Sequence, residues 1–259
     1  LSSGNPELRS SISAKFKRDN HLEYTSDQIV VSTGAKQSLA NVCLSLLDPE
    51  DEVLLPCPYW VSYAEIIKLA EGVPVEIKST IDSDFKITPS QLEASITSRT
   101  KMIMFSSPCN PSGTVYTQSE LEAIAKMLEK YPNIYIVSDE IYEHINFTDK
   151  HYSIGTIPSM KDRTVTVNGV SKGFAMTGWR VGFIGAPLWI AKACNKIQGQ
   201  VTSATCAIAQ KATERAMLAE PRSTTKEMKE TFLKRRNMLV SLLKDIPGIK
   251  CNIPQGAFY

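Results

Sequence analysis

The sequence lacks the apolar run of roughly 18–20 residues that a membrane-spanning helix needs, although 42% of its 259 residues are hydrophobic. Residues 1–10 also lack the basic stretch followed by an apolar one that is typical of a secretory leader. We therefore expect a cytoplasmic protein. Residue 1 is Leu, and the chain stops at Tyr259 within what reads as a strand, so we expect both ends to belong to something longer.

Cysteine, histidine and net charge are also limited. Six cysteines occur without CxxC spacing and three histidines are scattered, so we expect free thiols in a reducing compartment and no metal site. The 29 basic and 27 acidic residues leave a formal charge of +2, which does not suggest a nucleic acid or an acidic membrane as partner. The length is sufficient for a hydrophobic core that needs no disulfide or metal.

Short apolar segments alternate with amphipathic ones between residues 28 and 185. The predicted strands cover 28–32, 51–55, 73–77, 101–105, 134–137, 164–167 and 181–184. Helix starts are predicted at Asn5-Pro6 and at two capping boxes that begin with Thr88 and Thr117. This alternation predicts an α/β fold, a mainly parallel sheet with helices on both faces.

The pattern becomes helical after residue 187, over 188–199, 204–219 and about 223–244. Gly248–Cys251 then reads as β-like. We predict a large domain at 1–222, followed at 223–259 by a connector helix and the start of a smaller α+β domain.

Polar segments follow the predicted strands, where open α/β sheets bind ligands. The sequence has no GxGxxG and no GxxxxGK[ST], which disfavours dinucleotide and P-loop nucleotide binding. Gly34-Ala35-Lys36 fits an anion site at a helix start or simply a helix start. Asn110-Pro111-Ser112-Gly113 is a turn, and the alternatives are a purely structural turn or one in which the Asn is functional. Asp139 fits a helix cap or a partner for a buried cation.

Lys172 is embedded among small and apolar residues with few acidic neighbours. Lysines are usually solvated, but burial and nearby cations lower the pKa of such an amine and make it a nucleophile. Arg180 is either structural or a guanidinium for phosphate. A phosphate cradle, a lysine, a carboxylate, hydrogen-bonding groups and a stacking aromatic together meet the needs of pyridoxal 5'-phosphate.

The segment Gly169-Val170-Ser171-Lys172-x-x-Ala175-Met176-x-Gly178-x-Arg180-Val181-Gly182 resembles the lysine-attachment signature of the class I, fold-type I pyridoxal-phosphate aminotransferases. The segments 31–37 and 56–63 are similar to those of bacterial-type aspartate aminotransferases in particular. The resemblance covers essentially the whole chain. It implies that the three-layer large domain of fold-type I transferases makes up most of the chain.

The resemblance also implies a role for each site residue. Lys172 attaches the cofactor and moves a proton between substrate Cα and cofactor C4′, while Asp139 holds the pyridine nitrogen protonated. Tyr142 and Asn110 hydrogen-bond the 3′-oxygen, and Trp60 stacks on the ring. Asn110 and Trp60 are also expected to contact the substrate.

The phosphate group has its own implied set of residues, which comprises Arg180, Ser171 and the backbone of Gly34, Ala35 and Lys36. Lys36 is in addition the candidate for the distal carboxylate of an acidic substrate. The resemblance places an arginine for the α-carboxylate, a glycine segment and a partner-subunit tyrosine outside residues 1–259.

The resemblance implies a homodimeric transaminase that moves the amino group of aspartate to 2-oxoglutarate by a ping-pong mechanism. Alternatives are a transaminase for alanine, aromatic amino acids or kynurenine, and a cofactor-dependent lyase or decarboxylase. A non-catalytic sensor domain of the same fold is a further alternative.

Overall fold

One seven-stranded sheet forms the centre of the computed structural model, which describes residues 2–148, 150–218 and 223–259. The strands are β1 (Ile29–Ser32), β2 (Glu52–Pro56), β3 (Val73–Ile77), β4 (Thr100–Ser106), β5 (Tyr135–Asp139), β6 (Thr164–Gly169) and β7 (Gly182–Gly185). Their order across the sheet is β1-β7-β6-β5-β4-β2-β3. Strand β7 runs against its neighbours, since it pairs antiparallel with β1 and β6 while the other pairs are parallel. The predicted mainly parallel sheet is confirmed.

Eight α-helices surround this sheet within the described ranges. They are α1 (Pro6–Lys15), α2 (Ala35–Leu46), α3 (Ser62–Leu69), α4 (Pro89–Ala94), α5 (Gln118–Leu128), α6 (Leu188–Val201), α7 (Ala207–Leu218) and α8 (Ser223–Lys244). The capping boxes at Thr88 and Thr117 are confirmed, because each side chain accepts the N–H three residues on. Asn5 precedes α1 but makes no side-chain cap bond. Across the part of the chain that is described, no helix is both long and apolar enough for a bilayer.

The helices cover both faces of the sheet. Val53 and Leu55 of β2 pack with α2, α3 and α6, whereas Leu54 between them packs with α4 and α5 on the opposite face. Successive strand side chains point to opposite faces, so an unbroken apolar strand needs a layer on each side. The arrangement is the predicted three-layer α/β fold.

The carboxyl-terminal segment differs from the prediction. Gly248–Cys251 forms no strand, so that part of the prediction is wrong. A strand needs a partner along its length, and within residues 245–259 a single antiparallel bridge is made, by Gly256 to Asn146. The predicted division at 222/223 borders residues 219–222, which lie outside the described residues, and it stays a prediction.

Candidate active site

A cavity of about 280 Å³ opens at the carboxyl ends of β4, β5 and β6. All sequence-predicted site residues except Gly34 line it, and Gly34 lies directly behind Arg180. The lining consists of Ala35, Lys36, Trp60, Tyr63, Ser106, Asn110, Asp139, Ile141, Tyr142, Ser171, Lys172, Thr177, Arg180 and Tyr259. Parallel strands bring residues far apart in sequence to one edge, as the pattern of strand ends predicted.

The turn from β1 into α2 meets the Arg180 side chain at one end of the cavity. Gly34 adopts φ +86°, and a Cβ at this position would lie 2.3 Å from Arg180 Nη2, so only glycine leaves space for the guanidinium. The free N–H groups at the start of α2 and the guanidinium are both suited to an anion. Ser171 lines the same cavity. These residues fit a phosphate group.

Lys172 is half-buried in the cavity, with its ammonium 5.7 Å from the Tyr142 ring centroid. Burial, and then the positive charge of Arg180, lowers the pKa of this lysine, while Asp139 opposes the shift. A larger fraction of the amine is therefore neutral and nucleophilic than for a solvated lysine. The solvated-surface alternative for Lys172 is excluded by its position.

Asp139 ends β5 and is almost fully buried. Its carboxylate accepts hydrogen bonds from the Tyr63 hydroxyl (2.7 Å) and from the Ile141 backbone N–H (3.2 Å). Burial raises the pKa of Asp139 to about 6, although both hydrogen bonds oppose this shift. The carboxylate thus caps the following turn and also faces the cavity, where a cationic ligand group would stabilise its charged form.

Three polar side chains that line the cavity form hydrogen bonds with one another. The Tyr259 hydroxyl accepts a hydrogen bond from Asn110 Nδ2 (3.0 Å) and shares one with the Tyr142 hydroxyl (2.9 Å). Burial and the Tyr259 contact raise the pKa of Tyr142, so its phenol stays protonated and available as a donor. Asn110 and Tyr142 can therefore both present hydrogen to one ligand oxygen, the role that the resemblance implies for them.

Trp60 and Lys36 form the mouth of the cavity. The Lys36 ammonium lies 4.8 Å from the centroid of the Trp60 ring, within the range of a cation–π contact. The Trp60 ring in turn meets Tyr63 edge-to-face at 5.6 Å. A cation beside a flat aromatic surface suits a ligand that has both a planar ring and a remote negative charge.

Five cavity residues were not predicted from the sequence, namely Tyr63, Ser106, Ile141, Thr177 and Tyr259. Tyr63 is on α3 in the pattern of a core aromatic, and nothing in the sequence links it to Asp139. Tyr259 reaches the cavity because Gln255 and Gly256 both donate backbone hydrogen bonds to Gly113. The position of Ser106 at the end of β4 could have indicated its place.

Comparisons with known proteins agree with this geometry. The profile of the family "Aminotransferase class I and II" matches residues 2–259. The aspartate/prephenate aminotransferase of Cereibacter sphaeroides is 45% identical, over 99% of this chain and 64% of its own length. The chain thus spans less than two thirds of that relative.

Solved structures give the same result for the fold. The crystal structure of the aspartate aminotransferase from Rhizobium meliloti has a TM-score of 0.96 at 42% identity, over 98% of this chain and 64% of that one. The aspartate aminotransferase from Thermus thermophilus with maleate has a TM-score of 0.95 at 39% identity, over 99% and 66%. Because the family profile matches nearly every residue, this chain belongs to the class I and II aminotransferases.

Proposed function

We propose that the protein is a transaminase that uses pyridoxal 5'-phosphate and that this chain supplies its cofactor-binding site. The observation that carries the proposal is the half-buried Lys172 amine, which shares one cavity with the Asp139 carboxylate and the Arg180 guanidinium. A nucleophilic amine, an anion and a phosphate-binding group are the three partners that this cofactor requires of a protein.

Different residues of the chain bind different parts of the cofactor. Arg180, Ser171 and the N–H groups of Ala35 and Lys36 bind the phosphate, while the Gly34 N–H donates to the Ser32 carbonyl (2.8 Å) and Gly34 leaves space for the guanidinium. Asp139 accepts a hydrogen bond from the ring nitrogen and keeps it protonated. Tyr142 and Asn110 donate to the 3′-oxygen, and Trp60 stacks on the ring. Bound in this way, the cofactor supplies an electron sink for negative charge at the substrate Cα.

Lys172 has two tasks in this proposal. Its amine would hold the cofactor covalently, and during the reaction it would take up and return the proton of the substrate Cα. A lowered pKa suits both tasks, because the amine must be neutral to attack and to take the proton.

We propose aspartate and 2-oxoglutarate as substrates of the whole protein. Lys36 supports this choice, since its ammonium at the cavity mouth can bind the distal carboxylate of an acidic substrate, and Trp60 and Asn110 line the same region. The names of the Rhizobium and Thermus relatives, and the dicarboxylate maleate with the latter, agree. Prephenate is a second candidate acceptor, because the Cereibacter relative is named for it.

We propose a cytoplasmic homodimer for the whole protein, with a cofactor domain at 1–222 and a smaller domain that starts at 223–259. The six free cysteines suit a reducing compartment. Exposed apolar side chains beside the cavity, Trp179 and Ile208 among them, suit a second subunit.

Replacing Lys172 by Ala tests the proposal. The whole protein with pyridoxal phosphate should show a visible absorbance band that free cofactor lacks. Lys172→Ala should lose both that band and transamination, because the variant has no amine at this point of the cavity. Lys68→Ala, an exposed lysine on α3, is the matched control. A Lys172→Ala protein that keeps the band and the activity would show that another residue holds the cofactor.

A substrate panel tests the proposed specificity. Aspartate with 2-oxoglutarate should exceed alanine or tyrosine by at least about tenfold in kcat/KM, a difference of about 1.4 kcal/mol. Lys36→Met should remove most of this preference by raising KM for aspartate while leaving alanine nearly unchanged. Equal values for all three amino donors in the unmodified protein would rule out the aspartate assignment.

A further inference from the structure

A buried ion pair lies beside the turn that carries Asp139 and Tyr142. Lys15, the last residue of α1, is only 1% exposed, and its ammonium donates hydrogen bonds to Asn20 Oδ1 (2.6 Å) and to Glu143. Asn20 Nδ2 donates to the second carboxylate oxygen of Glu143 (2.5 Å). The three side chains therefore satisfy one another and connect the first helix of the chain to this turn.

Glu143 is part of the turn itself. It follows Tyr142 directly, its N–H donates to the Glu140 carbonyl (3.0 Å), and the N–H of Ile145 donates to the Tyr142 carbonyl (2.8 Å). The backbone from 139 to 145 is thus a short, hydrogen-bonded unit. The Glu143 carboxylate therefore belongs to the same turn as Tyr142 and Asp139.

The same carboxylate is connected to the lysine segment through His144. His144 Nε2 lies 3.3 Å from Glu143 Oε1, and the imidazole meets the Phe174 ring edge-to-face at 5.3 Å. Gly173 lies so close to this imidazole that a Cβ there would be 2.5 Å from it. Because Gly173 follows Lys172, the contact of His144 with Gly173 joins the turn at 139–145 to the segment that carries Lys172.

A buried ion pair is by itself weak evidence of a contribution to stability. Burial by itself would raise the pKa of Glu143, but the charge of Lys15, with the two nearby histidines, lowers it well below its usual range. Replacing such a pair by apolar side chains is often neutral or stabilising, whereas removing one partner leaves an uncompensated charge. The pair does supply one fixed arrangement, since both oxygens of Glu143 have assigned donors.

A metal-binding site is the alternative interpretation of the side chains around Glu143. Ligand atoms of Glu140, Glu143 and His151 lie within 4.8 Å of one another. Glu143 is already neutralised by Lys15, and Glu140 accepts a hydrogen bond from Ser153 (2.6 Å) and contacts His151 (2.8 Å). The carboxylates have protein partners, so we assign no ion.

We propose that Lys15 and Glu143 are positioning residues of the cofactor site, whose contact fixes the turn that presents Asp139 and Tyr142 to the cavity. The inference rests on the proposed function, because its effect is read on the bound cofactor. It assigns α1 a role in the site although no residue of α1 lines the cavity.

The test compares Lys15→Met and Glu143→Ala with Glu52→Ala in the whole protein loaded with pyridoxal phosphate. Glu52 is the control, because it is also a buried carboxylate paired with a cation, here the exposed Arg99 (2.8 Å), but lies at the amino end of β2. Cofactor affinity and the visible circular dichroism of the bound cofactor are measured beside thermal unfolding.

We expect the dissociation constant of the cofactor to rise at least about tenfold in Lys15→Met and Glu143→Ala and less than about twofold in Glu52→Ala. The visible circular dichroism should change only in the first two variants. Equal behaviour of all three variants, with binding lost only in proportion to stability, would overturn the inference. A failure of the unmodified protein to bind the cofactor would instead contradict the proposed function.

The double variant Lys15→Met with Glu143→Gln covers the case in which a single variant does not fold. It leaves no unpaired buried charge, and the introduced amide can still pair with Asn20, so thermal unfolding should return close to that of the unmodified protein. Cofactor affinity should remain several-fold weaker, because the link from α1 through Lys15 is absent. Recovery of full affinity and of the original circular dichroism would contradict a positioning role.

Discussion

Asp139 shows how a single buried side chain connects sequence to chemistry. Its carboxylate is nearly inaccessible to water, which destabilises the charged form and raises its pKa to about 6. The Tyr63 hydroxyl at 2.7 Å is the strongest opposing influence. In the cofactor-free protein this raised pKa means that the contribution of Asp139 to stability falls as pH rises from about 4 to 6, since this group holds its proton more tightly in the folded than in the unfolded state.

Tyr63→Phe should raise the pKa of Asp139 further, because it removes one donor to the carboxylate and leaves the aromatic ring in place. A hydrogen bond to a charged group contributes about 1.5 kcal/mol or more, so we expect an upward shift of about one pH unit. If ionised Asp139 holds the ring nitrogen, cofactor affinity will fall on the acidic side of this pKa. The midpoint of affinity against pH, measured by visible absorbance between about pH 5 and 8, should move upward by that amount.

A matched control for Tyr63→Phe is Tyr116→Phe. Tyr116 is also a buried tyrosine with a hydrogen-bonded hydroxyl, which here accepts from the Ile87 N–H (3.2 Å), but it lies outside the cavity. Its loss should leave the pH midpoint unchanged. An unchanged midpoint in Tyr63→Phe as well would show that the Tyr63 hydroxyl does not govern the charge of Asp139.

Single residues were predictable where a motif fixes them in one segment. Lys172 and Arg180 are eight positions apart and could be found together, and Asp139 stands out as a carboxylate at the end of an apolar strand. Tyr63 could not be found in this way, because its contact with Asp139 joins positions 76 apart in the chain. Lys15 and Glu143 are 128 positions apart. The pattern of one segment carries no information about such pairs.

Elements were predicted well where local pattern decides them. The apolar runs of β2 and β4 predicted buried strands, and the two Thr capping boxes located the starts of α4 and α5. The direction of β7 could not be read from its sequence, because strand direction is fixed by pairing with β1 and β6. The close approach of β7 to α2 is visible only in the fold, where a Cβ on Gly182 would lie 2.1 Å from the Ala35 backbone nitrogen.

The turn between β1 and α2 shows the same limit at the level of an element. The sequence indicated a glycine at a helix start, but the reason for glycine lies elsewhere in the chain, in the Arg180 side chain that fills the space of a Cβ. The predicted strand at 248–251 failed for a related cause. Its residues have β character, but a strand forms only where another strand offers hydrogen bonds.

At the scale of the whole molecule, an apolar patch remains uncovered beside the cavity. We define it by Trp179 and Ile208, which are 46% and 75% exposed. Trp179 and Ile208 line one groove together with Arg180, whose guanidinium is part of the proposed phosphate site. Contiguous exposed apolar surface of this kind is typical of an interface, and it borders the site directly.

The patch predicts that Ile208→Asp will convert the proposed homodimer into monomers. Stable interfaces bury roughly 800 Å² on each partner, and a carboxylate placed in their centre is desolvated without a counter-charge. Analytical ultracentrifugation at about micromolar concentration should give twice the chain mass for the unmodified whole protein and a single chain for the variant. Leu69→Asp, which places the same charge at a similarly exposed leucine on α3, is the control and should stay dimeric. Arg180 lines both the groove and the cavity, so separation of the subunits should also weaken cofactor binding. A monomeric variant that binds the cofactor with full affinity would show that the site needs no second subunit.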